Sequence, residues 1–394
     1  MKNTKDPSKD LERLQRKLLD ENEKMKEQFI FQFIKDQVSG KFKPKIQEKL
    51  FQDNSRYLGE LLEGKRANKG IYYYKNGDIY FGDWKDDKFH GKGVYIFAKG
   101  ERYEGELANG FKTGNGDYQY LNGNFYQGQW REDKKQGFGV YTYLLTGEKY
   151  EGEWDKGLKH GKGTFLFSYG DKYEGGFAKG LKHGPGVINY KTGAVLNGNW
   201  NNDKAEGHCQ MKYANGDSYK GEYANSKKHG FGVYTFKTGT VFEGEFSEDK
   251  FSGKGLIKYK NGDIYEGEFA CGMKDGTGSY TYYNGDKFQG SWIEDKKSGH
   301  GNYLYQATGD SYEGEWLENN KCGQGVYKYG NGDVFEGCFV DGSKNGIGKF
   351  RWANGEVYEG EWKNDMMHGS GKIVDNDKCV RRIKFKMNAI EEID

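Results

Sequence analysis

Histidine recurs at one place in a repeating pattern of this chain, and histidine is the side chain that most often binds metals. Five of the seven histidines come directly before a Gly-x-Gly triplet, namely His90, His160, His183, His229 and His368. If each pattern unit is two strands, equivalent residues of neighbouring units lie about 9.6 Å apart. Two nitrogens bound to one zinc ion each lie about 2 Å from it. We therefore predict no metal site and assign these histidines to turns.

Carboxylates and glycines also recur in arrangements that enzymes use. Glu151 and Glu153 represent a pair found in many units, and paired carboxylates can act as acid and base. Their place on alternating strand positions favours solvated strand faces instead. Gly-x-Gly binds dinucleotides when a strand precedes it and a helix follows, but no helical pattern follows it here. We find no nucleophile constellation and predict no catalytic residue, no cofactor and no enzymatic activity.

Lysine is the most regular charged residue of the pattern. With the aromatic residue that starts each unit counted as position 0, lysine occupies position 8 or 9 in nearly every unit. We expect these positions in loops along one edge, where the lysines form a candidate contact for an anionic surface. The candidate lysines are Lys88, Lys112, Lys134, Lys135, Lys159, Lys182, Lys227 and Lys228. A role in solubility is the alternative.

The pattern that positions these residues is an aromatic-x-Gly-x-aromatic motif with a period of 23 residues. It appears as Tyr80-Phe81-Gly82-Asp83-Trp84, and Tyr103 opens the next copy 23 residues later. A weaker first copy starts at Tyr57 and the last starts at Tyr358, which gives 14 copies. A fixed period of this size indicates a repeat array. Alternating apolar and polar residues predict two β-strands in each repeat.

Each repeat is therefore predicted to be a β-hairpin. Triplets such as Asn76-Gly77-Asp78 close the repeats, and Asn-Gly favours hairpin turns because both residues accept positive φ. A polar stretch of about six residues follows position 4. We expect the aromatic columns at positions 0, 4, 15 and 17 to share one face, with glycine at position 2 leaving room for the rings. The predicted fold is all-β: an elongated single antiparallel sheet of stacked 23-residue β-hairpin repeats with an N-terminal α-helical segment.

The ends of the chain lie outside the repeats, which we place at residues 57–373. Residues 1–56 form a basic segment in which apolar residues at helical spacing predict a helix from about Pro7 to Gln37. A shorter helix is predicted over residues 45–51. We expect residues 374–394 to form a tail that caps the last repeat with a strand.

The most apolar run outside the repeats lies within the predicted long helix, which Gly40 and Pro44 are expected to end. This run contains Phe29, Ile30 and Phe33, which we take as candidate interaction residues. Three interpretations stay open. The run caps the open edge of the first hairpin, forms an intermolecular coiled coil, or attaches to a membrane.

Two repeats depart from the pattern. Leu196 replaces the tyrosine at position 0 of its repeat, where Gly207-His208-Cys209 also interrupts Gly-x-Gly. We interpret this repeat as a bend or a partner-specific contact. The last repeat has Met366 and Met367 where others have lysine. Leu196, Met366 and Met367 are therefore further candidate interaction residues.

Composition narrows the class of protein. Aromatic residues make up 16% of the chain, which argues against disorder despite a mean hydropathy of −1.02. The net charge of +2 gives no reason to expect nucleic-acid binding. The five cysteines form no C-x-x-C motif and are expected to be reduced thiols in the cytoplasm. There is no apolar run near 18 residues, so we predict no transmembrane helix.

The sequence from Tyr150 to Phe165 contains Tyr-Glu-Gly-Glu-Trp and Lys-His-Gly-Lys-Gly-Thr-Phe. In period, aromatic residues and glycines, residues 57–373 resemble MORN (membrane occupation and recognition nexus) repeats. The resemblance implies one of several settings for the chain. MORN repeats of this type occur in radial-spoke and other axonemal proteins, in the membrane skeletons of protists, and in fusions to lipid-kinase or methyltransferase domains. It leads us to expect a non-enzymatic scaffold of the cytoplasm and cytoskeleton, in a ciliary or flagellar axoneme and similar to radial-spoke proteins.

The expected partners are other cytoskeletal or axonemal proteins, with a second copy of the chain as a further candidate. The alternative function is a linker between membrane and cytoskeleton. In that case the lysine row and the N-terminal segment bind acidic phospholipid.

Overall fold

The fold is built from β-hairpins that follow one another along the chain. The computed structural model describes residues 7–38 and 46–393, which contain one helix and 31 strands. The predicted helix-ending residues Gly40 and Pro44 lie outside the described residues. The chain divides into two compact units, Met1–Lys204 and Ala205–Asp394.

The first unit holds helix α1 (Pro7–Val38) and an open antiparallel sheet in which each strand pairs with the next one along the chain. Its strands are β1 (Ile46–Leu50), β2 (Arg56–Leu62), β3 (Lys65–Tyr73), β4 (Ile79–Lys85), β5 (Lys88–Ile96), β6 (Arg102–Ala108), β7 (Phe111–Gln119), β8 (Phe125–Arg131), β9 (Lys134–Tyr143), β10 (Glu148–Asp155), β11 (Leu158–Leu166), β12 (Lys172–Ala178), β13 (Leu181–Asn189) and β14 (Val195–Asn201).

The second unit is a sheet of the same kind, again with antiparallel pairing of consecutive strands. Its strands are β15 (Lys204–Lys212), β16 (Ser218–Ala224), β17 (Lys227–Thr235), β18 (Val241–Ser247), β19 (Lys250–Lys258), β20 (Ile264–Ala270), β21 (Met273–Thr281), β22 (Lys287–Ile293), β23 (Lys296–Tyr305), β24 (Asp310–Leu317), β25 (Asn320–Lys328), β26 (Val334–Val340), β27 (Ser343–Arg351), β28 (Val357–Lys363), β29 (Met366–Val374), β30 (Val380–Lys386) and β31 (Ala389–Ile393).

The aromatic columns form the core of each hairpin and share one face of the sheet, as predicted. Tyr80, at position 0, is 0% exposed and meets Trp84, at position 4, edge to face with ring centroids 5.2 Å apart. The ring centroid of Tyr118, at position 15, lies 6.0 Å from that of Trp130 at position 4 and 4.5 Å from that of Tyr120 at position 17. We call this side of the sheet the aromatic face and the other side the helix face.

Glycine is required beneath each ring at position 0. Gly82 and Gly93 are opposite each other on β4 and β5, and a Cβ on either would overlap the hydroxyl end of Tyr80. The Tyr80 hydroxyl donates a hydrogen bond to the Asp83 carbonyl at 2.9 Å. The expected room at position 2 is confirmed, and the same requirement extends to the glycine at position 13.

The turns differ from the prediction. Asp86 and Asp87 both have positive φ, 49° and 62°, which is typical of a tight two-residue hairpin turn. The polar stretch after position 4 is therefore a tight turn that leads directly into β5, and the expectation of a loop there was wrong. At Asn76-Gly77-Asp78 only Gly77 has positive φ, and its amide donates to the Tyr74 carbonyl at 3.0 Å. This is a longer turn with one left-handed residue, so Asn-Gly marks the hairpin correctly but is not its two-residue turn.

The ends of the array agree with the prediction only in part. The long helix is confirmed, since α1 begins at Pro7 and ends one residue beyond Gln37, at Val38. The shorter helix was wrong for Ile46–Leu50, because those residues form β1 and pair with β2. After the last repeat, β30 pairs with β29 and β31 pairs with β30.

Candidate interaction faces

The lysines at position 9 lie on the aromatic face with their ammonium groups over rings. Lys135 Nζ lies 4.4 Å from the ring centroids of both Tyr141 and Trp154, within the range of an attractive cation–π contact. Similar contacts are made by Lys112, Lys159, Lys182, Lys228, Lys274, Lys297, Lys321 and Lys344. These lysines lie in strands and contact rings of the protein itself. Their assignment to an edge loop was wrong.

The lysines at position 8 differ from those at position 9. Lys88, Lys134 and Lys227 are exposed at the ends of hairpins, and Lys227 pairs with Glu248 of the next turn. By contrast, the Lys228 side chain is only 13% exposed. The eight candidate lysines therefore separate into exposed ones (Lys88, Lys134, Lys227) and half-buried ones (Lys112, Lys135, Lys159, Lys182, Lys228).

Aspartates in the longer turns connect one repeat to the next. Asp263 accepts hydrogen bonds from the Tyr280 hydroxyl at 2.7 Å and from the Tyr283 amide at 2.8 Å. Burial raises the pKa of Asp263, but hydrogen bonds from Tyr280, Asn261 and the Tyr283 amide outweigh burial and leave the pKa below its usual value. From the sequence we expect these residues only in the triplets that close the repeats. The spacing along the sequence between this aspartate and the tyrosine at position 15 of the next repeat is constant. That spacing was the signal that could have identified the hydrogen bond between them.

Where position 3 is glutamate, as at Glu106 and Glu153, the side chain lies on the helix face and its carboxylate bonds to the backbone at the irregularity of its own hairpin. Glu106 Oε1 accepts a hydrogen bond from the Asn115 amide at 3.1 Å, beside Gly114, whose φ is +53°. Glu153 Oε1 accepts one from the Lys162 amide at 2.9 Å. Because this carboxylate has a backbone donor in its own hairpin, the interpretation of Glu153 as only a solvated strand residue was incomplete.

Helix α1 packs across the helix face of the first unit. The Phe29 ring stacks on Phe81 with centroids 5.3 Å apart, and Ile30 and Phe33 pack against the same buried cluster. The cluster consists of Ile71, Phe81, Val94 and Ile96. Near the middle of the helix, Asn22 Nδ2 donates to the Gly100 carbonyl at 2.9 Å.

This packing decides one of the three interpretations of the apolar run. The edge of the first hairpin is paired with β1, while Phe29, Ile30 and Phe33 lie on the sheet face, so the edge-cap interpretation was wrong. The coiled-coil and membrane interpretations stay predictions. Phe31 and Ile34, on the outer side of α1, are 68% and 52% exposed.

Shallow troughs lie on the helix face over the backbone of paired glycines. In the first unit a trough of about 560 Å³ lies beside Phe29 and Phe33. In the second unit a trough of about 950 Å³ lies along Phe231 and Leu256. Their floors consist of the paired glycines at positions 2 and 13, so the troughs follow from the repeat itself.

In the two repeats that depart from the sequence pattern, the unusual side chains differ in how exposed they are. Leu196 is only 6% exposed and pairs with Ile188 of β13, so little of its side chain is available to a partner. The boundary between the two units falls within its repeat. Met367 is half-buried and lies opposite Trp362, while Met366 is half-buried opposite Lys363.

Among residues 7–38 and 46–393, no group of three or more His, Cys, Asp or Glu side chains is placed to hold a metal ion. In the same ranges, no helix combines the length and apolar character needed to cross a membrane.

A family model for the MORN repeat matches most of the chain. The matched residues are 57–79, 80–102, 103–125, 126–143, 150–172, 173–195, 197–218, 219–241, 242–264, 265–287, 288–307, 312–334, 335–357 and 358–380. The chain belongs to the MORN-repeat family, whose repeats indicate a protein-interaction or scaffold role. No curated protein matches the chain.

Several solved structures resemble the chain at low identity. The TCP10 domain of Danio rerio CPAP, in complex with a peptide of Danio rerio STIL, is 12% identical and aligns over 63% of this chain and 94% of its own, with a TM-score of 0.31. The TCP10c domain of Drosophila melanogaster Sas-4 is 16% identical over 38% and 90%, with a TM-score of 0.23. Virginiamycin B lyase from Staphylococcus aureus is 11% identical over 77% and 89%, with a TM-score of 0.13. These likenesses carry no argument about function.

Proposed function

We propose that this chain is a non-enzymatic scaffold of a cytoskeletal assembly, located in the axoneme and similar to radial-spoke proteins. The observation that carries the proposal is the uncovered aromatic face. Rings at positions 15 and 17 form a half-exposed column, as where Tyr282 lies 5.8 Å from Tyr303 and Tyr305 lies 6.0 Å from Tyr327. No element of the described residues packs over this column. Exposed aromatic surface of this extent favours a protein partner.

Two substitutions on adjacent residues of β23 test which face binds. Tyr305 is half-buried on the aromatic face, and Leu304 is 38% exposed on the helix face. Tyr305→Lys places a charge among the rings, so we expect it to reduce binding, whereas Leu304→Lys is the matched control. The measurement is the localisation of a tagged full-length chain in a ciliated cell, with proximity labelling of its neighbours.

The outcomes separate the setting from the surface. Axonemal signal that falls with Tyr305→Lys and persists with Leu304→Lys supports both parts of the proposal. A native chain that does not enter the axoneme removes the axonemal setting. Equal labelling of the same neighbours by both variants removes the aromatic face as the binding surface.

A second candidate function, phospholipid binding by a membrane–cytoskeleton linker, has one observation in its favour. Phe31 and Ile34 are exposed one helical turn apart, with Lys35 in the last turn of α1. Apolar side chains beside basic ones suit the surface of an anionic membrane. The half-buried lysines at position 9 cannot contribute fully, which leaves α1 and the lysines at position 8.

Co-sedimentation with vesicles tests this second function. The chain is mixed with phosphatidylcholine vesicles with or without phosphatidylserine and phosphoinositide, at low and high salt. Binding that needs the anionic lipids, weakens at high salt and is reduced by Phe31→Ser with Ile34→Ser supports the linker. Absence of binding to anionic vesicles at low salt rejects it, because screening is then weakest.

A further inference from the structure

The lysines at position 9 differ in whether a carboxylate faces them. Lys274 Nζ lies 3.9 Å from Asp295 in the turn of the following repeat, and Asp295 Oδ1 also accepts the Lys274 amide at 3.0 Å. Asn319 occupies the equivalent place beside Lys297. Its Oδ1 accepts the Lys297 amide at 2.9 Å, so the turn is unchanged while the negative charge is absent.

Lys297 Nζ is enclosed by uncharged groups. The ring centroids of Tyr282, Phe288, Tyr303 and Trp316 lie 5.6, 5.3, 4.8 and 4.9 Å away, and Nζ donates to the Tyr282 hydroxyl at 3.1 Å. The nearby carboxylate of Glu318 pairs with Lys296 instead, at 3.2 Å. In the described part of the chain Lys297 makes no ion pair. Burial, and then the like charge of Lys274, lower the pKa of Lys297 to about 8.

Lys135 has the same surroundings in the first unit. Besides Tyr141 and Trp154, the rings of Tyr120 and Tyr126 lie 5.8 and 5.4 Å from its Nζ. The facing turn residue is Gly157, which has no side chain. Burial alone lowers the pKa of Lys135 to about 8. Within residues 7–38 and 46–393, Lys135 and Lys297 are thus the two amines, one in each unit, that four rings surround and that face no carboxylate.

We propose that Lys135 and Lys297 are acylation sites, at which the chain reacts with acyl thioesters or related activated acyl donors. The neutral amine attacks the acyl carbon, so that a C–N bond forms and the C–S bond breaks. The sulfur leaves as a thiolate with the bonding electrons, and the proton lost by the nitrogen passes to water. The product is an uncharged amide among the rings of the aromatic face. This chemistry goes beyond the proposed scaffold function and does not depend on it.

The reaction is tested on the full native chain with limiting N-hydroxysuccinimidyl acetate. Acetylation of each lysine is followed over time by peptide mass spectrometry. Only lysines at position 9 are compared, because all of them lie over rings of the aromatic face. At pH 7.5 we expect Lys297 and Lys135 to react several-fold faster than Lys274. Burial lowers the pKa of all three amines, but the Asp295 carboxylate opposes this at Lys274, and only the neutral amine attacks the acyl carbon.

Two reciprocal substitutions control for differences in access. Asn319→Asp supplies the missing carboxylate and should slow Lys297 several-fold without changing Lys135. Asp295→Asn removes a carboxylate and should speed Lys274 by a similar factor. Circular dichroism confirms that each variant is folded. The proposal is overturned if Lys297 and Lys135 react no faster than Lys274, or if neither substitution changes the rate at its own lysine.

Discussion

At the scale of single residues, the fit between one ring and two glycines determines the hairpin. Tyr150 is 0% exposed, and its hydroxyl donates to the Glu153 carbonyl at 2.8 Å. Gly152 and Gly163 lie opposite each other beneath it. The ring therefore fixes which residues of β10 and β11 face each other, and register sets which side chains are buried.

Gly163→Ala tests this fit. The new Cβ would lie 2.6 Å from Cε2 and Oη of Tyr150, so we expect the local free energy of opening of β10 and β11 to fall by about 1–3 kcal/mol. Hydrogen exchange with mass spectrometry measures it. The penalty should be smaller when Tyr150→Leu has removed the end of the ring, because contacting residues are coupled. Equal penalties in the two backgrounds would show that the ring is not the cause.

At the scale of strands and turns, neighbouring hairpins are joined by rings and by turn aspartates. Trp154 of β10 is 5% exposed, its centroid lies 5.3 Å from Tyr126 of the preceding repeat, and its Nε1 donates to the Gly139 carbonyl at 3.1 Å. Asp263 makes the corresponding connection between turns. Each element is thus stabilised mainly by the repeats beside it.

Trp154→Ala should destabilise the chain locally. Removing a buried tryptophan costs about 3–5 kcal/mol, and the loss should appear as faster hydrogen exchange in β9, β10 and β11 while β2 and β3 keep their protection. Tyr169→Ser is the control in the same unit, because Tyr169 is 58% exposed and should change stability by no more than about 0.5 kcal/mol. Similar small effects from both variants would argue against the buried column.

Asp263 makes stability depend on pH. Its pKa is lower in the folded state than the usual 3.8, so the unfolded chain binds more protons and stability rises with pH. The contribution is complete above pH 3.8 and is lost as the pH falls through the folded-state pKa. In the Asp263→Asn variant the side chain is a neutral amide, which cannot accept the hydrogen bond of the Tyr280 hydroxyl in the same way as the carboxylate. We expect native chain and variant to differ in thermal midpoint at pH 7 and to converge towards pH 3. A constant difference would exclude the carboxylate as the source.

At the scale of the whole molecule, the sequence predicts the repeated elements better than the site. The columns at positions 0, 4, 15 and 17 and the span of α1 follow from periodicity, because burial on one face requires a fixed spacing. Periodicity could not show that Lys135 lies over rings, because lysine has a charged end and an apolar stem that can bury itself. Nor could it show that Phe29 packs against Phe81, since that contact joins segments far apart in the chain.

Deleting one whole repeat should leave the fold intact. Removing residues 265–287 joins Ile264 to Phe288. Asp286 accepts hydrogen bonds from the Tyr303 hydroxyl at 3.1 Å and from the Gln306 amide at 2.8 Å. In the shortened chain Asp263 takes the place of Asp286. We expect native-like circular dichroism and unchanged hydrogen exchange in the remaining strands. Removing only residues 265–276 leaves half a hairpin and should disrupt them. Disruption by the whole-repeat deletion would contradict the equivalence of repeats.

The fit of Tyr80 on Gly82 and Gly93 lies entirely within one hairpin, and this has a consequence for how such a chain changes over generations. Unequal recombination that adds or removes one complete copy preserves every internal fit on both sides of the junction. The gene can therefore vary the number of hairpins in single steps without new compensating mutations. The same property makes errors of a few nucleotides costly, since a shift within a copy moves the ring away from its glycines.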